Sequence, residues 1–237
     1  MDEAYSYLKE FILDQEVHYP EEGKFDYVDF IKYFENIQLF DRPDFYSVSY
    51  KTIYIYEHFE VDASRASRKK GSRSRIDIER DNHQYEEWIK KNKSTYYGQL
   101  KTELSFEYYL NNLKINFNNH YKKIEDYKKN ICMKLKINKD EYTFKIVFII
   151  EDKTMFGTAF FDKEKGPKIV FPIFTNEFLD FIKDKFFVDN IICSVETSGN
   201  IKYTWLFSRI DEAYFRSNAY NLLEHKIINL NPISIGC

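Results

Sequence analysis

The hydrophobic positions change period several times along the chain, and each period predicts one kind of element. Residues 2–17 and 25–37 carry apolar side chains at helical spacing, which predicts N-terminal helices over 2–38. The period then shortens: aromatic and β-branched residues dominate a stretch that favours a hairpin over 44–62. We expect its turn at Lys51-Thr52, the one plausible break in that stretch.

The longest periodic segment covers residues 95–131 and predicts one long helix. A single apolar stripe indicates that this helix packs across a sheet. The stripe consists of Phe106, Leu110, Leu113, Phe117, Tyr121, Ile124, Tyr127 and Ile131.

The last third of the chain alternates strand-like runs with two short helices, giving a C-terminal α+β part over 142–226. One helix is expected to begin near Thr175, and Asp211 is expected to cap the other. The strand-like runs are 142–151, 155–162, 168–174, 190–197 and 201–208. With no linker or repeat, we expect one domain over 1–237: an α+β fold with a mixed, mostly antiparallel sheet and a long crossover helix.

Composition narrows the class of protein. The 237 residues are 43% hydrophobic and 19% aromatic, which excludes intrinsic disorder of the whole chain. Three scattered Cys residues do not make a disulfide framework and suit a reducing compartment. With an acidic N-terminus and no apolar run of about 18 residues, we expect a cytoplasmic protein without a membrane span.

The net charge of −3 hides one strongly basic run at residues 64–75. It contains six basic residues and no acidic one: Arg65, Arg68, Lys69, Lys70, Arg73 and Arg75. Such a run either is a solvated mobile loop or contacts nucleic-acid phosphates, and the sequence leaves both readings open. The chain has neither a Gly-x-Gly-x-x-Gly nor a Walker A motif to cradle a nucleotide.

Glu57 is the most unusual residue of the predicted hairpin. By the two-residue period of a strand it shares a face with the apolar side chains of Ile55, Phe59 and their neighbours. An ionised carboxylate on an apolar face is costly unless it is paired, hydrogen-bonded or bound to a metal. With the turn at Lys51-Thr52, Tyr46 lies opposite Glu57 and Asp44 points to the same face. Two such carboxylates can share a divalent cation.

These residues resemble a known family. Pro43-Asp44 before a strand, a tight turn and Glu57 on the next strand are similar to the PD-(D/E)XK nuclease superfamily, over residues 24–151. The resemblance implies a restriction-endonuclease-like core. It also implies hydrolysis of phosphodiester bonds with Mg²⁺ or Mn²⁺, with Asp44 and Glu57 as catalytic metal ligands. The family's lysine position falls on Phe59, so Lys101 on the long helix is the candidate for a relocated ammonium group.

Two other groups of residues offer alternatives to this site. Glu151-Asp152-Lys153 reads as acidic-x-Lys after a strand, but its chemistry favours a hairpin turn. His58, Glu60 and Asp62 share the other strand face and offer an alternative transition-metal site. The remaining His residues show no ligand spacing and are expected on the surface or in the core: His18, His83, His120 and His225.

Two functions therefore stay open. The first is a metal-dependent nuclease acting on DNA or RNA. The compactness of the chain and its abundance of Lys, Asn, Ile, Phe and Tyr, which AT-rich codons encode, suggest a role in bacterial or phage defence. The second is a non-catalytic immunity or regulatory protein on a similar or decayed fold, whose aromatic residues contact a partner protein. The basic run and the acid on an apolar face favour the first function, and Phe59 in place of lysine favours the second.

Overall fold

The computed structural model describes residues 17–63, 96–98, 105–152, 159–162, 166–169, 171–196, 202–221 and 233–235. The strands of this part are β1 (Val17–His18), β2 (Gln38–Leu39), β3 (Phe45–Ser49), β4 (Thr52–Val61), β5 (Tyr96–Gly98), β6 (Thr143–Asp152), β7 (Ala159–Asp162), β8 (Gly166–Ile169), β9 (Asn190–Glu196), β10 (Lys202–Ser208) and β11 (Ile233–Ile235). Its α-helices are α1 (Tyr27–Lys32), α2 (Phe106–Tyr121), α3 (Ile124–Leu135), α4 (Asn176–Ile182) and α5 (Glu212–Ser217). None of these helices has the length and apolar character needed to cross a membrane.

Seven of the strands form one mixed sheet in the order β1-β10-β9-β6-β4-β3-β2. The three central strands β4, β6 and β9 run parallel, and β1 is parallel to β10, whereas the other neighbours are antiparallel. The predicted α+β class and mixed sheet are confirmed. The expectation of a mostly antiparallel sheet is wrong, because three of the six pairs of neighbouring strands in this sheet are parallel. The parallel pairs β4–β6 and β6–β9 need crossover connections, and the fold has two. One runs through α2 and α3, and the other contains α4.

Each face of β4 packs into its own core. Ile53, Ile55 and Phe59 point toward α2, α3 and α4. Tyr54 and Tyr56 point the other way, toward α1. The two-residue period read from the sequence is therefore the period of burial, and it places Glu57 on the face under α2 and α3.

The predicted long helix over 95–131 is divided into shorter elements. Its first residues contain β5, and α2 begins only at Phe106, where the Ser105 hydroxyl accepts a hydrogen bond from the Tyr108 N–H (3.1 Å) and caps the helix. The chain then breaks at Lys122–Lys123 before α3. Most of the predicted stripe is nevertheless buried, since the break keeps α3 on the same side of the sheet.

The hairpin over 44–62 forms, but its turn lies one residue earlier than predicted. Ser49 pairs with Thr52, so Tyr50 and Lys51 are the loop residues. Tyr50 adopts the left-handed conformation, with φ 53°, that Gly usually takes in such turns. Because Tyr carries a side chain, this conformation costs backbone strain. The register of the whole hairpin follows from this shift.

The ends of the chain depart further from the predictions. Of the expected helices over 2–38, residues 1–16 lie outside the described part, Val17–His18 is a strand, and α1 passes into a 3₁₀ turn at Tyr33–Asn36. Within 142–226, β6, β9 and β10 match the expected strands. The run 168–174 instead divides into the end of β8 and a 3₁₀ turn at Pro172–Phe174.

The two residues expected to cap helices in this C-terminal part, Thr175 and Asp211, both lie directly before a helix. Only Thr175 caps its helix through its side chain. The Thr175 hydroxyl accepts from the Phe178 N–H (3.3 Å), which confirms it as the N-cap of α4. Asp211 precedes α5 without capping it through its side chain. Its carboxylate instead accepts the N–H groups of Lys24 (2.7 Å) and Phe25 (3.1 Å).

Candidate functional site

Asp44 and Glu57 meet at the point where β3 begins. Phe45 pairs with Tyr56, so the same register places Asp44 directly opposite Glu57. The expected pairing of Tyr46 with Glu57 is wrong, since Tyr46 pairs with Ile55. The correction brings the two carboxylates closer than predicted, and the Asp44 N–H lies 3.4 Å from Glu57 Oε2.

The Asp44 side chain extends the hydrogen-bond ladder of β4 just before β3 begins. Its Oδ2 accepts from the His58 N–H at 2.8 Å. Two side chains of α2 act in the same way further along β4, as Asn116 donates to the Glu60 carbonyl (2.9 Å) and Asn112 to the Asp62 carbonyl (3.0 Å). Backbone groups left without a strand partner must be satisfied otherwise, and this requirement fixes Asp44 beside Glu57.

Glu57 is 6% exposed, and α2 and α3 supply its partners. His120 Nδ1 lies 2.6 Å from Glu57 Oε1, and the Tyr127 hydroxyl donates to the same oxygen at 2.7 Å. Both residues flank the break between the two helices. The buried acid that the strand pattern singles out is therefore hydrogen-bonded, as its burial requires.

The two acids perturb their surroundings electrostatically. Burial and the neighbouring charge of Glu57 raise the pKa of Asp44 to about 6, although the hydrogen bond from the His58 N–H and the positive charge of Lys123 act in the opposite direction. Burial and the hydrogen bond to Glu57 also raise the pKa of Tyr127, which keeps its hydroxyl protonated as a donor. A pair of acids held together in this way attracts a cation or a proton.

Phe59 occupies the position at which the family resemblance calls for lysine, and it belongs to the core. Its ring packs edge-on against Phe117 and Phe148. It also stacks on the His120 imidazole, with centroids 5.1 Å apart and planes 10° from parallel. Phe59 and Glu57 together orient His120, which the sequence alone assigned to the surface or the core.

His120 presents its second ring nitrogen away from Glu57. When Nδ1 carries the proton donated to Glu57, Nε2 keeps a lone pair. No described residue forms a hydrogen bond with Nε2, and the side chain is 21% exposed. The imidazole is therefore oriented by a carboxylate and is accessible from solvent.

The carboxylates of Asp44 and Glu57 are the donors that this site offers to a divalent ion. Among the described residues, no group of three His, Cys, Asp or Glu side chains could by itself hold a metal. Mg²⁺, however, is bound in many phosphate-processing sites by only one or two carboxylates, with water and substrate phosphates completing the shell. Asp44 and Glu57 meet this minimum, and both the burial of Asp44 and the charge of Glu57 raise the Asp44 pKa.

Several predicted site residues fall outside the described part of the chain. Lys101 is one, and the others are the six basic residues of the 64–75 run: Arg65, Arg68, Lys69, Lys70, Arg73 and Arg75. A positive charge close to the site comes instead from Lys123, at the break between α2 and α3.

A second acidic group lies at the carboxyl ends of the parallel strands. Glu151 and Asp152 are 3% and 2% exposed and belong to β6, so the turn predicted for them is wrong. Lys153 lies outside the described part. His58 Nε2 lies 3.1 Å from Glu151 Oε2, and the alternative metal site at His58, Glu60 and Asp62 is not formed among the described residues.

His120 and Tyr127 carry a signal that sequence reasoning overlooked. With Phe117 and Ile124 they follow helical spacing, so His120 is a polar interruption of an apolar helix face. Glu57 interrupts an apolar strand face in the same way, and two such interruptions on facing surfaces pair. No family model, curated protein or solved structure matched the chain. A proposal about its function therefore rests on the geometry of this site.

Proposed function

We propose that this protein hydrolyses phosphodiester bonds of nucleic acids, with Mg²⁺ or Mn²⁺ bound by Asp44 and Glu57. One observation carries the proposal: Asp44, Glu57 and His120 form a single hydrogen-bonded group on the face of β4 under α2 and α3. Two adjacent acids with a solvent-accessible imidazole beside them suit hydrolysis of an anionic ester.

The order of the strands supports the resemblance to the PD-(D/E)XK superfamily. β2, β3 and β4 form an antiparallel meander, and α2 and α3 then cross over to β6, which is parallel to β4. A restriction-endonuclease-like core, as the resemblance implies it, has this sequence of elements. The acids lie at the start of the second meander strand and in the middle of the third.

Each residue of the site has a role that its contacts support. A bound divalent ion would supply a more acidic water molecule and stabilise the charge that develops on the phosphate. His120 Nε2 would accept the proton of the attacking water, because Glu57 holds the other nitrogen and thereby sets the tautomer. Tyr127 fixes the Glu57 carboxylate, and Lys123 adds positive charge near the phosphate.

This assignment gives His120 the part that the missing lysine would play. The stacking of His120 on Phe59 makes the two residues a unit, in which the phenyl ring positions the imidazole. Phe59 is then compatible with catalysis, since the basic group comes from α2 instead of from β4.

The proposal is tested with labelled single-stranded and double-stranded DNA and RNA in Mg²⁺ or Mn²⁺. We expect Asp44→Asn and Glu57→Gln each to lower the cleavage rate by about 100-fold or more. His120→Gln should lower it by a similar factor, because a glutamine amide cannot accept the proton of the attacking water as an imidazole can.

Asp126→Asn is the matched control, because Asp126 is an exposed carboxylate on α3. It should cleave like the wild type. Wild-type protein that cleaves none of the substrates contradicts the proposal, and so does cleavage that survives Asp44→Asn. Circular dichroism and thermal unfolding of every variant separate loss of activity from loss of the fold.

A specific observation also favours the non-catalytic alternative. Phe59 is part of the core, and both oxygens of Glu57 lie near donors within the protein, His120 and Tyr127 on one and the Asp44 N–H on the other. On this reading the polar group stabilises the fold of a protein-binding domain. It predicts no cleavage and no shift of the melting temperature with Mg²⁺ or Mn²⁺, whereas the nuclease proposal predicts stabilisation by the ion that disappears in Asp44→Asn.

A further inference from the structure

Beside the candidate site lies a surface of exposed rings and lysines, here called the aromatic–lysine surface. Phe186 is 72% exposed and Phe187 is 55% exposed. The surface consists of Tyr121, Phe181, Phe186 and Phe187 with Lys114, Lys128 and Lys185. Large exposed apolar side chains that are grouped together mark an interaction site.

The turn that carries the two phenylalanines is held from beneath. Arg209 donates to three carbonyl oxygens around it, those of Ile182 (3.3 Å), Lys185 (2.9 Å) and Val188 (3.1 Å). The Val188 N–H also bonds to the Lys185 carbonyl at 3.1 Å. The backbone between α4 and β9 is thus fixed, and the phenyl rings project from an ordered turn into solvent.

Lysines lie among the rings. The Lys185 ammonium is 5.1 Å from the centre of the Tyr121 ring and 5.4 Å from that of Phe181. Lys128 Nζ is 5.2 Å from the Phe187 centroid and is paired with Glu125 Oε1 at 2.8 Å, so Lys185 and Lys114 are the lysines available to a ligand. Phe187 lies 6.0 Å from Tyr121 with planes 30° apart. On this surface, lysine ammonium groups therefore lie 5.1–5.8 Å from the centres of the aromatic rings.

The aromatic–lysine surface and the candidate site share the two helices on either side of the break between α2 and α3. Tyr121 follows His120 in the chain, and Lys128 follows Tyr127. Residues 122–136 carry six Lys against Glu125 and Asp126, although the whole chain has a net charge of −3. On the turn itself, Lys183 and Lys185 flank Asp184.

We infer that the aromatic–lysine surface binds single-stranded nucleic acid. Bases stack on exposed aromatic rings and phosphates pair with lysines, the combination by which single strands are bound without sequence preference. A duplex hides the faces of its bases, so it would use only the lysines. That this strand is the substrate delivered to Asp44 and Glu57 rests on the proposed function, whereas the binding itself does not.

The test measures fluorescence anisotropy of labelled oligo-dT, oligo-U and a DNA duplex of equal length, in EDTA so that metal-dependent cleavage is absent. The wild type should bind the single strands more tightly than the duplex. Phe186→Ser combined with Phe187→Ser should weaken single-strand binding by about tenfold or more, since each stacked base contributes substantially. Lys114→Gln with Lys185→Gln should lower the dependence of binding on salt.

Val28→Ser is the control, because Val28 is 55% exposed on α1, which packs on the other face of the sheet. It should bind like the wild type. The inference is overturned by absence of single-strand binding, by equal affinity of the double Phe variant, or by self-association through the Phe residues in sedimentation. Phe-dependent binding without any cleavage would contradict the proposed function alone, and Asp44-dependent cleavage with Phe-independent binding would contradict this inference alone.

Discussion

Glu57 illustrates how one polar residue on an apolar face gathers partners from distant parts of the chain. Asp44 is 13 positions away, and His120 and Tyr127 are 63 and 70 positions away. Each contact offsets part of the cost of placing a carboxylate under two helices. The same contacts give the site its chemistry, since they hold an acid pair and an imidazole together.

Asp44 itself allows a prediction about pH. Its pKa is raised to about 6 in the folded protein from 3.8, so the folded state binds the extra proton and stability falls as the pH rises through this range. In EDTA, we expect Asp44→Asn to be more stable than the wild type by about 1 kcal/mol at pH 8, less than the full shift implies because the group is partly exposed. The difference should vanish near pH 4. Urea unfolding at several pH values measures it.

The comparison between variant and wild type isolates Asp44, because Glu57, His120 and Lys123 face it in both proteins. Asp126→Asn again serves as control and should show a small, nearly constant difference. A stability gain that is larger at pH 4 than at pH 8 would show that folding does not raise the pKa of Asp44.

At the scale of elements, the β3–β4 hairpin decides whether the site exists. A turn at Tyr50-Lys51 instead of Lys51-Thr52 places Asp44 opposite Glu57. A change of register by one further residue would move Asp44 to the opposite face. The register is held although Tyr50 is a poor residue for its position, because β4 has partners on both sides, with β6 paired along its whole length.

Tyr50→Gly should stabilise the protein by about 1 kcal/mol. Tyr50 has φ 53° and is 98% exposed, so Gly removes backbone strain and the substitution loses almost no side-chain burial. Lys51→Gly is the matched change at the other loop position, where φ is not positive, and should be neutral or destabilising. Equal effects of the two substitutions in urea unfolding would contradict the assigned turn.

At the scale of the whole molecule, the first described strand and the segment after it contact β10 and Asp211, far along the chain. β1 pairs with β10, and the Asp211 carboxylate accepts the backbone N–H groups of Lys24 and Phe25. The contact joins residues 187 positions apart and anchors the segment before α1 to the start of α5. Gly23 makes this close approach possible, because a Cβ there would lie 2.7 Å from Asp211 Oδ2.

Gly23→Ala should therefore destabilise the protein by about 1–3 kcal/mol. The added methyl group would also lie 2.7 Å from a ring carbon of Tyr27, so neither side can yield without moving a buried residue. Glu22→Ala, an exposed neighbour, should change stability by less than about 0.5 kcal/mol. If Gly23→Ala and Glu22→Ala gave the same stability in thermal or urea unfolding, Gly23 would not be packed tightly against Asp211 and Tyr27.

Sequence patterns predicted the elements that depend only on residues close together in the chain. The alternation in β4 assigned each side chain to its face, and Thr175 marked the start of α4. The break at Lys122–Lys123 was not visible, because the apolar period continues across it. The parallel arrangement of β4, β6 and β9 was also missed, since it depends on which strands meet after two crossovers.

The sequence by itself determined that Glu57 would lie on an apolar strand face and would need partners, because the period of a strand and the cost of a buried charge are both local properties. Only the tertiary structure decided which partners those are. Asp44 depends on the register of a hairpin, and His120 and Tyr127 depend on where two helices cross the sheet. Contacts between residues tens of positions apart are chosen by the packing of the whole chain, which no short window of sequence contains.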